Sequence, residues 1–191
     1  MADDDELVPL ELFPDVVVRA AFFERVTNGG ALREQILAKT LPCAAALVDA
    51  SLVLSTAVLR SAATQAARRA DHGASRRPHV CRSNDAPKSR APETDLVYSL
   101  APHSQVGAAL KELGVGPETS RLLVVAFGAE AGAFGALVDC VAGERRPLAS
   151  LDADRDGDRD AAIAAYFSVA PGPHETLERN ILTKLATKDV R

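Results

Sequence analysis

The chain has 191 residues, 47% hydrophobic and 25% charged, with a mean hydropathy of +0.01. That length folds around a core of its own without metal or disulfide staples. A net charge of −4 and a pI near 5.6 exclude a protein that coats nucleic acid or anionic membrane by its overall field, so any such contact has to be local.

The opening Met-Ala-Asp-Asp-Asp-Glu lacks the positive start and apolar run of a secretory signal, and no later stretch is apolar enough to span a bilayer. The expected location is therefore the cytoplasm or nucleus, with no membrane partner. Cys43, Cys81 and Cys140 are an odd, widely spaced set with no CxxC, so neither a zinc knuckle nor a disulfide framework is signalled.

From Val16 to Phe23 the chain is β-branched and aromatic, and Thr27-Asn28-Gly29-Gly30 punctuates it, which predicts a strand and then a turn. A helix follows, with Leu32, Ile36 and Leu37 on one side and Arg33, Glu34 and Gln35 on the other. Pro42 ends it, and Cys43 to Val48 reads as a buried strand.

Leu52, Ser55, Leu59, Ala62, Ala66 and Arg69 step at helical spacing in an Ala-rich run that nothing breaks before Gly73. Asp49, Ser51 and Ser55 stand as helix-start residues rather than members of a catalytic triad. Residues 71–92 turn polar, with Gly73, Pro78, Pro87 and Pro92, as a long surface loop does.

Asp95 to Leu100 is expected as a strand, Pro102 to Leu113 as a helix stopped by Gly114, and Leu122 to Phe127 as the strongest strand. Ala136 to Val141 is expected to pair beside that strand after a Gly-rich turn. Ala161 to Val169 reads as a helix, Pro171-Gly172-Pro173 breaks it, and a last helix runs from about His174 to Lys184 or beyond. The sum is one mixed α+β domain over residues 1–191, with a small, largely antiparallel or mixed sheet packed with helices.

Several lookalikes carry little. The run Asp152-Ala153-Asp154-Arg155-Asp156-Gly157-Asp158 copies half a calcium loop, but Ile163 stands where the bidentate Glu belongs, and Arg155 and Arg159 bring positive charge. Gly128, Gly132 and Gly135 follow a strand without dinucleotide spacing; a small nucleotide-binding domain or enzyme using the turn at 128–135 is kept as the alternative function. His72, His79, His103 and His174 are scattered, so no catalytic, cofactor or metal residue is assigned.

Two surfaces invite partners. The last helix has Leu177, Ile181, Leu182 and Leu185 on one stripe, which serves either its own core or an interface. Between Arg68 and Arg90, seven basic residues (Arg68, Arg69, Arg76, Arg77, Arg82, Lys88 and Arg90) stand against Asp71 and Asp85. This is a local balance of +5 in an acidic chain, the form a phosphate-binding surface or a solvated basic loop would take.

Leu12-Phe13-Pro14, the stretch from Phe22 to Arg33, Val48-Asp49, Lys88-Ser89-Arg90 before Asp95 to Pro102, and the closing Thr187-Lys188-Asp189-Val190 resemble, in that order, the PRPK-binding protein family. That family is the small subunit of the KEOPS, or EKC, complex, and the resemblance spans most of residues 7–190. It implies a non-catalytic scaffold that binds a PRPK-type atypical kinase, meets the other subunits through it, and supports threonylcarbamoyladenosine formation on transfer RNA.

The resemblance further implies a kinase-facing surface from the first and last helices (Leu32, Ile36, Leu177, Ile181, Leu182 and Leu185) and contact with the tRNA 3′ end through Arg68, Arg69, Lys88 and Arg90. The chain departs from the family in a longer basic segment and in Gln65, where members tend to carry Lys.

Overall fold

The computed structural model describes residues 6–74, 91–153 and 157–190. Among them, β1 (Glu6–Leu7), β2 (Val18–Glu24), β3 (Ala46–Asp49), β4 (Leu122–Phe127) and β5 (Glu144–Arg146) form one antiparallel sheet in the order β1-β2-β4-β3, with β5 also on β2. β2 and β4 are its centre, paired from Val18 opposite Phe127 to Phe23 opposite Leu122. The helices are α1 (Gly29–Ala38), α2 (Thr56–Ala74), α3 (Pro92–Leu100), α4 (Val106–Leu113), α5 (Ala131–Asp139), α6 (Ser150–Ala153), α7 (Gly157–Phe167) and α8 (His174–Thr187). The mixed α+β class read from the sequence is the class observed.

Both faces of the sheet are covered, which is why its central strands are continuous apolar runs rather than alternating ones. Val18, Ala20, Phe22, Leu123 and Val125 face a core built with α2, α3, α7 and α8. Ala21, Phe23, Leu122, Val124 and Ala126 face the opposite way, onto Leu32 of α1 and Phe134, Leu137 and Val138 of α5.

The Thr27-Asn28-Gly29-Gly30 stretch is a structural joint. Asn28 donates from Nδ2 to the Cys140 carbonyl at 2.8 Å and accepts the Ala142 N–H at 3.0 Å, clasping the end of α5. A Cβ at Gly29 would lie 2.3 Å from the Gly116 carbonyl oxygen, so only glycine lets α1 start this close to the chain entering β4.

Two expected strands are helices. Asp95 to Leu100 lies within α3, which opens with Pro92 at its start and Glu93 and Asp95 in its first turn. All six of those residues are buried, so the run shows no polar face and no 3.6-residue period. Ala136 to Val141 falls largely in α5, whose Phe134, Leu137 and Val138 recur at i, i+3 and i+4 against the sheet.

The strand that does add to β2 in this part of the chain is β5, whose three residues are charged and exposed. It was invisible to apolar patterning. Of the expected 71–92 loop, the first residues belong to α2, which runs to Ala74, α3 begins at Pro92, and 75–90 lie outside the described residues.

Candidate partner-docking groove and C-terminal latch

α1 carries more apolar side chains than its one buried stripe can use. Leu32 is enclosed, but the next turn places Ile36 and Leu37 outside the core, and Leu37 is 76% exposed. Across from them, α4 buries Ala109 and Leu113 and leaves Leu110 44% exposed. Between the two helices lies a groove of roughly 370 Å³, floored by Ala45, Ala46, Leu47, Val97 and Val115 and edged by Arg33, Glu93 and Lys111.

β3 forms one wall because it is the sheet's edge strand. Leu47 passes its carbonyl to the Val115 N–H at 3.1 Å, so the chain after α4 covers the far half of that edge. Glu93, half-buried beside the floor, has its pKa pushed up by burial. The Cys43 thiol is likewise pushed up, first by burial and then by the Glu93 charge.

At the opposite end of α3, the chain's last described turn makes a buried polar latch. Asp189 accepts from Arg69 Nη2 at 2.6 Å and, on its other oxygen, from the Tyr98 hydroxyl. Arg69, only 1% exposed, also donates to Ser99 Oγ at 2.6 Å, with its guanidinium 4.9 Å from the Tyr98 ring centroid. Lys188 donates to the carbonyls of Ala101 and of Tyr98, the latter also accepting the Ala101 N–H at the end of α3, and lies 4.0 Å from the centre of the same ring. Burial, and then the Asp189 hydrogen bond, push the Tyr98 pKa up to about 12.

The residues proposed for a kinase face do not meet on one surface. Leu32 belongs to the core on one side of the sheet, and Leu177, Ile181 and Leu185 to the core on the other. Only Ile36 and the half-buried Leu182 show surface to a partner. The apolar stripe of α8 is a packing stripe, and the helix's outward positions include Glu175, Arg179 and Thr183.

Of the proposed RNA contacts, Arg68 is on the surface of α2, while its neighbour Arg69, about 100° further round the helix, is turned inward and occupied by the latch. Arg69 is thereby removed from the list of phosphate contacts. Lys88 and Arg90 lie outside the described residues, as do Arg76, Arg77 and Arg82.

Other lookalikes have structural occupations. Asp152 accepts from the Thr56 N–H and hydroxyl at 2.7 and 2.6 Å, capping α2, while Asp154, Arg155 and Asp156 lie outside the described residues. Asp49 caps the turn at Ser51, and Ser55 accepts the Val58 N–H, as helix-start residues do. Glu112 receives hydrogen bonds from His103 and Tyr166, each at 2.9 Å, and the His103 bond holds its pKa down.

The Gly-rich turn does lead from a strand into a helix, with Gly128 at φ +64. Yet Glu130 sits at the N-cap of α5, where a phosphate would need a donor, and every neighbour of β4 is antiparallel. A nucleotide fold's crevice at the ends of parallel strands is not formed among the described residues.

Leu37, Leu110, Arg33, Lys111 and Glu93 were not singled out from the sequence as site residues. The available signal was surplus: three large apolar residues on a ten-residue helix of which only Leu32 is buried against the sheet.

A family model described as kinase binding protein CGI-121 matches residues 23–189. Over 121 residues, 63% of this chain, the sequence is 32% identical to a Gibberella zeae protein named EKC/KEOPS complex subunit CGI121, of which the match covers 55%. Over the same length it is 30% identical to the Aspergillus fumigatus protein named EKC/KEOPS complex subunit cgi121, of which the match covers 58%. The matched region is thus little more than half the length of those relatives.

Proposed function

The chain belongs to the kinase binding protein CGI-121 family, and from that premise we propose that it is a non-catalytic subunit of an EKC/KEOPS complex that docks on the complex's atypical protein kinase. The observation that carries this reading is the uncovered apolar surface of Ile36, Leu37 and Leu110 on a member of a family described by kinase binding. Isolated apolar side chains on a surface are ordinary; a contiguous set lining a groove is the form a protein-binding site takes.

Through the kinase, the chain supports threonylcarbamoyladenosine formation on tRNA in the cytoplasm or nucleus. Arg68, with Lys88 and Arg90, contributes phosphate contacts near the tRNA 3′ end. Such contacts release counterions, so RNA affinity should fall steeply with salt, and Arg68→Ala with Lys88→Ala and Arg90→Ala should flatten that slope. Titrating labelled tRNA at several salt concentrations checks this; an unchanged slope removes the RNA contact from the proposal.

Co-purification of the wild-type chain with its cognate kinase tests the main reading. A stable stoichiometric pair supports it, and no association between two folded proteins overturns it.

A further inference from the structure

α4 is too short to place itself. Its eight residues fall below the roughly 12 that an isolated helix needs to persist in water, and of them Ala109 and Leu113 alone are buried. Where it stands is therefore set at its two ends. The far end is fixed by backbone: Gly114 bridges Val48, and the Leu47 carbonyl takes the Val115 N–H at 3.1 Å.

The near end is reached through the linker 101–105, and there the C-terminal turn (Lys188–Val190) supplies the hold. Lys188 donates from Nζ to the Ala101 carbonyl at 2.9 Å, while its own carbonyl accepts from Ser104 Oγ at 3.2 Å, so one residue grips the linker twice. Lys188 is held in turn by the Tyr98 carbonyl, and its neighbour Asp189 by Arg69 and the Tyr98 hydroxyl. His103 of the linker then bonds Glu112 of α4 at 2.9 Å, which passes the linker's position on to the helix.

We propose that Lys188 and Asp189 are positioning residues for partner docking: the C-terminal turn braces the 101–105 linker and through it sets where α4 stands as one wall of the groove, an assignment that rests on the kinase-binding reading. Gly107, Leu110 and Lys111 line that wall, so a swing of α4 about its far end moves them relative to α1.

The brace is separable from the fold around it. α8 is seated by Leu177, Ile181 and Leu185 in the core, so it stays docked when the polar contacts of the turn beyond it are lost. A short polar turn opens at a lower cost than the core, and the linker loosens with it.

The test compares Lys188→Met, which keeps an apolar stem over the Tyr98 ring and removes the ammonium donor, with Val138→Ala, a core substitution on α5 across the sheet. In the free full-length chain, amide exchange over residues 101–113 should rise about 10-fold in Lys188→Met and less than about twofold in Val138→Ala. Binding to the kinase should weaken about 10-fold in Lys188→Met, mostly through faster dissociation. In that background Leu110→Ala, on α4, should cost about threefold less than it does in the wild type, whereas Leu37→Ala, on α1, should cost the same in both.

Should melting curves show Lys188→Met unfolded, Ser104→Ala, an exposed substitution that removes one of the two linker bonds, is expected to give the same pattern at smaller size. Exchange over 101–113 that matches the Val138→Ala chain overturns the brace whatever the kinase does. Raised exchange with kinase binding within about twofold of wild type overturns the positioning role while the kinase reading stands. Equal coupling of Lys188→Met to Leu110→Ala and Leu37→Ala marks a loss of folded chain rather than of α4's placement, and also overturns it. If the wild type itself does not bind, the kinase reading falls, and the positioning role falls with it.

Discussion

The latch and the groove, at opposite ends of α3, use the same kinds of residue to opposite effect. In the latch, Arg69, Lys188 and Asp189 are drawn inside the molecule and held by Ser99, the Tyr98 ring and hydroxyl, and the last carbonyls of α3. In the groove, Arg33, Lys111 and Glu93 stand beside apolar side chains that no described residue covers. A buried charge satisfied at home serves the fold, and removing its partner is expensive. A charge left unpaired at the lip of an apolar groove costs the fold little and is free to select a partner.

Substitutions separate the two regions by what they damage. The largest effect is expected of Ile181→Glu, which puts a carboxylate into the core that α8 shares with α2 and α7. With no partner for the charge, the chain should lose about 4 kcal/mol or more and unfold in mild denaturant, monitored by circular dichroism. A folded Ile181→Glu chain that had only lost kinase binding would restore α8 as a docking stripe.

Asp189→Ala comes next. It leaves Arg69 buried without its carboxylate and should cost about 3–5 kcal/mol by urea denaturation. A cost below 1 kcal/mol would mean that the latch is no more than a surface ion pair.

Tyr98→Phe keeps the ring under Lys188 and removes only the hydroxyl, so about 1–3 kcal/mol is expected at neutral pH. Its pH dependence has a definite sign. The folded pKa is raised to about 12, so the hydroxyl's stabilisation is fully present below the unfolded value near 10 and is lost as pH rises through about 12. Wild type and variant should therefore converge over that window; a constant difference would remove Tyr98 as the titrating group.

The smallest effect on folding is expected of Leu37→Glu, within about 0.5 kcal/mol because the side chain is already in water. A clear loss of stability there would mean that the groove is part of the core.

The helices other than α3, α5 and the single turn α6, which went unread, were legible in the sequence because they lie half in the core and so alternate polar and apolar faces. α3 and α5 were misread for separate reasons. α3 is enclosed by α2, α4 and the sheet, so Asp95 to Leu100 has no solvent face to set a period. α5 is so rich in Ala and Gly that only Phe134, Leu137 and Val138 mark its buried side.

The candidate site was legible in part. Ile36 was named, but as one face with α8, and a sheet lies between the two cores to which those helices contribute. Arg69 was named as a phosphate contact because its neighbours in sequence are basic, although one helical step is enough to turn it from solvent to core.

By itself, the sequence determined the class of fold, the two central strands, the amphipathic helices and the family, since these follow from local apolar period, from glycine and proline punctuation and from short motifs in order. It also determined where charge accumulates, because that is a sum along the chain. Which charges are buried and which apolar residues stay in water was set by how the elements pack. Those outcomes depend on how many faces of each helix meet a neighbour: α3 is covered all round, α8 along its one apolar stripe, and α1 along Leu32 alone, so that Ile36 and Leu37 are left beside the groove.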